Sequence, residues 1–95
     1  MGKIKTRAYD PAEYLRSEEA QAEYLTAALE TGDAAFIADA IGVVARAKGM
    51  AEVAKQTGLG RESLYKALSA EGNPEFATIL KVIRALGLKL TAGPV

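Results

Sequence analysis

Arg61, Glu62, Tyr65, Lys66 and Ser69 put a guanidinium, a carboxylate, a phenol, an ammonium and a hydroxyl into one short stretch of the chain. At helical spacing they fall on one side, opposite Leu64 and Leu68. At least three of them can hydrogen-bond the edges of nucleic-acid bases, so the chemistry on offer is recognition. The same residues would also suit an ordinary helical hairpin with a solvated face, and the neighbouring sequence has to decide between the two.

That sequence, MAEVAKQTGLGRESLYKALS over 50–69, predicts two short helices, about 51–57 and 61–69, hinged at a glycine. Ala54 supplies a small side chain where two helices cross closely. Gly58 suits a turn residue with positive φ, and Val53, Leu59, Leu64 and Leu68 point to a shared core. The layout is that of a helix-turn-helix, with the polar residues on the outer face of its second helix.

The rest of the chain reads as helices that hold this pair. Asp10, Pro11 and Glu13 give an N-cap, a proline at the first helical position and the returning carboxylate of a capping box, so a short helix over 11–15 is expected. Ser17 caps a second helix, in which Ala20, Tyr24, Leu25, Ala28 and Leu29 recur at helical spacing until Gly32. Its flank is acidic, with Glu19, Glu23 and Glu30, and reads equally as a solvated face or as a contact surface for a basic partner. Asp33 caps a third helix ending at Gly49, whose stripe of Phe36, Ile37, Ala40, Ile41, Val44 and Ala47 marks the central scaffold. After the Gly72-Asn73-Pro74 break, Phe76, Ile79, Leu80, Ile83 and Leu86 form the stripe of a last helix closed by Gly87. In the tail, Leu88, Leu90 and Ala92 alternate with Lys89 and Thr91, the period of a short strand that could pair with its own copy across a two-fold axis.

The fold class is therefore all-α, a helix-turn-helix domain with an N-terminal helical extension and a possible C-terminal strand. The expected divisions are 1–32 for the extension and acidic helix, 33–87 for the helix-turn-helix domain and 88–95 for the tail. At 95 residues the chain can bury a modest core, near the size where helices must pack efficiently or the chain must oligomerise. The absence of Cys and His excludes disulfides, thiolate or imidazole metal sites and Ser/His/Asp catalysis. Glu52, Glu62, Glu71 and Glu75 fall on exposed helical or loop positions with no apolar pocket to raise a pKa, so catalysis is not expected, nor is a cofactor. No apolar run reaches membrane-spanning length and the N-terminus lacks a secretory stretch, so a cytoplasmic location is expected.

Twelve basic and twelve acidic residues cancel, but they are segregated. Residues 1–16 hold four basic residues (Lys3, Lys5, Arg7, Arg16) against two acidic. Residues 17–39 hold six acidic and no basic residue, and residues 40–95 hold eight basic against four acidic. The helix-turn-helix segment is thus net positive by four, beside an acidic helix. So small a positive field implies weak non-specific DNA binding, with useful affinity reached by two subunits on two half-sites.

YDPAEYL, the acidic helix ending in LETGD, ARAKGMAEVAKQTGLGRESLYKALS and GNPEFATILKVIRALGLKL occur in this order from about Tyr9 to Leu90. With them the chain resembles the addiction-module antidote proteins, a HigA-like, lambda-repressor-like branch of the Cro/C1-type (xenobiotic response element, XRE) helix-turn-helix regulators. The resemblance implies an antitoxin usually encoded beside a small basic toxin of the RelE/HigB type, which it neutralises by direct binding. It also implies repression of their shared promoter, which the charge argument assigns to a homodimer on operator DNA.

Residue by residue, the resemblance places the DNA-reading helix on Arg61, Glu62, Ser63, Tyr65 and Lys66. Arg61, in the first turn, is the candidate for bidentate contact with guanine O6 and N7, and Lys66 is the second candidate. Glu62 would accept from a cytosine amino group or pair with Lys66 one turn on and orient it. Tyr65 and Ser63 would touch phosphate or a thymine methyl. The chain departs from the family where hydroxyl caps are usual, with Ala51 and Gly60, which loosens the grip on phosphate. The acidic helix and YDPAEYL are the expected toxin-facing side, since a basic nuclease is drawn to a negative surface. Two alternatives stand beside this reading: a phage-type or restriction-control repressor with no toxin, and a protein-interaction module in which the helix-turn-helix is only a scaffold.

Overall fold

The computed structural model describes residues 10–95; Lys3, Lys5, Arg7 and Tyr9, used in the sequence reading, lie outside the described residues. A single-turn 3₁₀ helix, Pro11–Tyr14, is followed by α1 (Glu18–Leu29), α2 (Ala34–Lys48), α3 (Met50–Thr57), α4 (Arg61–Ala67) and α5 (Phe76–Ala85). The chain is all-α, and no strand is present among the described residues.

Local capping sets most of the starts. Ser17 Oγ accepts from the Ala20 N–H at 3.0 Å, and Asp33 Oδ1 accepts from Ala35 and Phe36 N–H at 3.1 and 3.2 Å, so each helix opens with first-turn N–H groups satisfied. Asp10 does this differently from the expected capping box. Its Oδ1 takes the Ala12 N–H, and the Glu13 backbone N–H, rather than the Glu13 carboxylate, turns back to the Asp10 carbonyl. The same Oδ1 accepts from Arg46 Nη2 of α2 at 2.9 Å, which fastens the start of the described chain to the scaffold helix. That guanidinium, with the Ala12 N–H, holds the Asp10 carboxyl below the usual carboxylate value.

Helix α2 is the hub, packing against the 3₁₀ helix, α1, α3 and α4, while α3 also carries α5. Its burial follows from that position: Ala38, Ala40, Ile41, Gly42, Val43, Val44 and Ala45 are all buried, so its middle is covered on nearly every side. The expected stripe was narrower than this and included Phe36, which is instead 47% exposed, because it lies in the first turn of α2. Burial also pushes the Tyr24 phenol of α1 upward from its ordinary pKa, with Asp39 of α2 adding to the effect.

Two further expectations are corrected. On α5 the core-facing side is Val82, Ile83 and Leu86 with Ile79 beside them; Phe76 and Leu80 sit on the edge of that stripe and are 66% and 45% exposed. Within the single chain the alternating tail forms no strand. Its Leu88 N–H returns to the Ile83 carbonyl at 3.1 Å, and Leu88 and Leu90 pack partly buried on the helical core. A strand needs a neighbour to bond its N–H and C=O groups, and an all-helical chain supplies none. Its apolar side chains find a core all the same.

Candidate nucleic-acid interface

The α3–turn–α4 unit is built from the inside. Val53 and Leu64 are fully buried, Leu68 is buried, and Leu59 and Ala54 are partly buried against them. Gly58 takes φ 75° and ψ 13°, the left-handed conformation that a side chain would strain, and its N–H closes on the Ala54 carbonyl at 2.9 Å. Thr57 clasps the turn from the other direction. Its hydroxyl donates to the Val53 carbonyl at 2.9 Å and accepts from the Leu59 N–H at 3.3 Å. Three residues, Gly58 to Gly60, thus separate the two helices.

Helix α4 is also held from below. A Cβ on Gly42 of α2 would overlap the Leu68 carbonyl oxygen and come within 3.3 Å of Leu68 Cβ. Only glycine permits this approach of the scaffold to the end of α4, and no pattern in the sequence signals it. Helix α4 ends at Ala67, two residues before the expected Ser69, because Leu68 leaves helical geometry at φ −98° and ψ 57°. Ser69 is partly buried, and its hydroxyl donates to the Lys66 carbonyl at 2.9 Å, so it closes the helix instead of joining the outer face.

With Leu64 and Leu68 facing in, Arg61, Glu62, Ser63, Tyr65 and Lys66 are all exposed on α4, Tyr65 at 44%. Five of the residues singled out in the sequence are thus left exposed around α4, Ser69 is not, and Arg61, seven residues before Leu68, lies on the same side of the helix as that leucine and two turns from it, not opposite to it. Among the described residues the ion pairs are Arg46–Asp10 and Lys48–Glu18, neither on α4, so Glu62 does not pair with Lys66. Both charges face solvent. Lys81 and Arg84 of α5 add positive charge beside Gln56 and Thr57, around a recess of about 340 Å³ that no sequence pattern pointed to.

The helix starts on this surface lack side-chain caps. Gly49 precedes α3 and Gly60 precedes α4, and neither start has a side-chain hydrogen bond; Ala51 lies in the first turn of α3, not at its cap. The first N–H groups of both helices are therefore left for water or an anion. Glu52, Glu62, Glu71 and Glu75 are all exposed.

These features define an all-α protein with a helix-turn-helix whose second helix presents an open polar face. Residues 5–94 match the family model described as "Probable addiction module antidote protein", and the chain belongs to that family. It is 47% identical over 81 residues to an uncharacterized protein of Haemophilus influenzae, an alignment that covers 85% of this chain and 84% of that protein. No solved structure matches the chain. Among the described residues, no helix is long and apolar enough to cross a membrane.

Proposed function

We propose that the protein is the antitoxin of a toxin–antitoxin module, a cytoplasmic homodimer that represses its own operon through α4 and neutralises a small basic toxin of the RelE/HigB type. It works by binding alone and catalyses nothing. One observation carries the DNA half of this reading: Arg61, Glu62, Ser63, Tyr65 and Lys66 are all exposed on a helix whose inner side is anchored by buried Leu64 and Leu68. A rod anchored on one side and polar on the other is what major-groove reading requires. Arg61 in the first turn reads guanine, Lys66 supplies a second cationic contact, Glu62 accepts from cytosine, and Tyr65 and Ser63 touch phosphate or a thymine methyl. Family membership supports the toxin half, since an antidote is defined by what it neutralises.

The uncapped starts of α3 and α4, together with a net charge of zero, favour a second reading in which the helix-turn-helix is a scaffold for protein contacts only. Binding to the DNA upstream of the protein's own gene, followed by fluorescence anisotropy across a salt series, separates the two. A repressor loses affinity log-linearly with salt, with a slope of roughly −0.9 for each phosphate neutralised. Absence of binding at low salt would leave only the scaffold reading.

A further inference from the structure

Helix α1 and the tail enclose a groove of about 850 Å³ that takes no part in the α3–α4 surface. One wall is Ala22, Leu25 and Leu29 of α1, the other Leu88, Leu90 and Pro94 of the tail. Leu29 is 38% exposed at its end, so the apolar floor is open to a partner. Beside this wall runs a ridge of negative charge. At 3.6 residues per turn, Glu19, Glu23 and Glu30 form one stripe adjoining Ala22, Thr26 and Leu29. All three are exposed and make no ion pair among the described residues, and no Lys or Arg occurs between Ser17 and Ala45.

We infer that this groove is the docking site for the toxin, and that the toxin segment seated there is positively charged with apolar side chains between its charges. The inference rests on the antitoxin reading above and adds the surface and the chemistry of its partner. Charge selects among the possible occupants. A two-fold axis through this face would set each acidic ridge against its own copy, which opposes self-association, and the same ridge repels nucleic acid. A basic protein is attracted along the α1 rim, while Lys89 on the tail wall is the one cation lining the groove among the described residues. The tail adds a second means of capture. Beyond the Leu88 N–H its backbone makes no backbone hydrogen bond among the described residues, so Lys89 to Thr91 present free N–H and C=O groups that an extended segment can pair with. No residue lining the groove belongs to α3 or α4, so toxin and operator can be held at once.

The test uses the purified product of the reading frame adjacent to this gene as the probe, with association and dissociation rates followed by biolayer interferometry. The variants are Leu29→Ser and the triple Glu19→Lys, Glu23→Lys, Glu30→Lys, all at exposed positions, with thermal melting and upstream-DNA binding as checks that each is folded. The triple variant should associate about tenfold or more slowly at low salt, with the deficit shrinking as salt rises. Leu29→Ser should dissociate about tenfold or more faster. Unchanged capture by both variants, when the wild type binds, overturns the groove assignment and leaves the antitoxin reading standing. Failure of the wild type to bind the probe at all overturns both. One other result also overturns the assignment: wild-type self-association that the triple variant abolishes, which makes the occupant a second copy.

Discussion

Replacing Gly42 by alanine sets two effects of opposite sign against each other. Inside a helix the change alone stabilises by roughly 0.5–1 kcal/mol, because glycine loses more backbone freedom on folding. Here the added Cβ would overlap the Leu68 carbonyl oxygen, with the Leu68 carbonyl carbon at 3.2 Å and its Cβ at 3.3 Å. Those are backbone or backbone-adjacent atoms at the end of α4 and cannot rotate aside, so relief requires α4 to move away from α2. Overpacking of this kind costs about 1–3 kcal/mol. Overlap with a backbone oxygen puts the steric cost in the upper half of that range, about 2–3 kcal/mol, so it wins, for a net loss of about 1–2.5 kcal/mol, or a fall in Tm of roughly 4–20 °C at this chain length. Thermal melting by circular dichroism measures it directly. The displaced helix is the one bearing Arg61 and Lys66, so binding to upstream DNA should weaken too, even at temperatures where the variant is fully folded. A Tm that rises by the few degrees helix propensity alone would give refutes the close approach of α2 to α4.

Thr57→Val keeps the shape but removes the clasp on the turn, and should lower stability by about 1 kcal/mol in urea unfolding, since the Leu59 N–H loses its acceptor. Gly60→Ser should do the reverse: Gly60 already has extended N-cap geometry, with only Ser63 Oγ near a Cβ, at 3.8 Å, so a hydroxyl there should add a few tenths of a kcal/mol and tighten DNA binding in the same anisotropy assay. Asp10→Asn should change the acid limb of the stability profile. Because the Arg46 bond lowers the folded-state pKa from 3.8, the unfolded chain takes up its proton first, so the stabilisation is complete above that value and fades as pH falls through the lower folded value. The pair is about a third exposed, so screening keeps the effect small. The wild-type advantage in Tm should shrink from about pH 6 toward pH 2, and a constant difference over that range would contradict the assignment.

Much of the fold was legible because its signals are local. Ser17 and Asp33 carry their caps within three residues, and Gly58 ends α3 by a conformation only its own backbone decides. The outward set on α4 was legible for the same reason, since Leu64 and Leu68 fix which side faces in. What escaped depends on partners distant in sequence. The apolar period of α5 reveals its stripe but not how wide the core is, so Phe76 and Leu80 looked buried. Gly42 reads as a poor helix residue until Leu68 is placed against it. Gln21 sits on an otherwise apolar side, and its Nε2 donates at 3.0 Å to the Leu15 carbonyl left free at the end of the 3₁₀ helix. The tail alternates as a strand would, yet strand formation is a property of pairs, and the single chain holds no second strand beside it among the described residues.

The claim on which the rest depends is that the outer face of α4 reads bases. Affinities of wild type, Arg61→Ala and Lys66→Ala for the upstream DNA and for a scrambled duplex, at one salt concentration, test it most directly. A base-reading Arg61 predicts a loss of about 1–3 kcal/mol on the upstream site, relaxed preference at one base position and a much smaller change on scrambled DNA. Equal losses on both duplexes, or none on either, would contradict it.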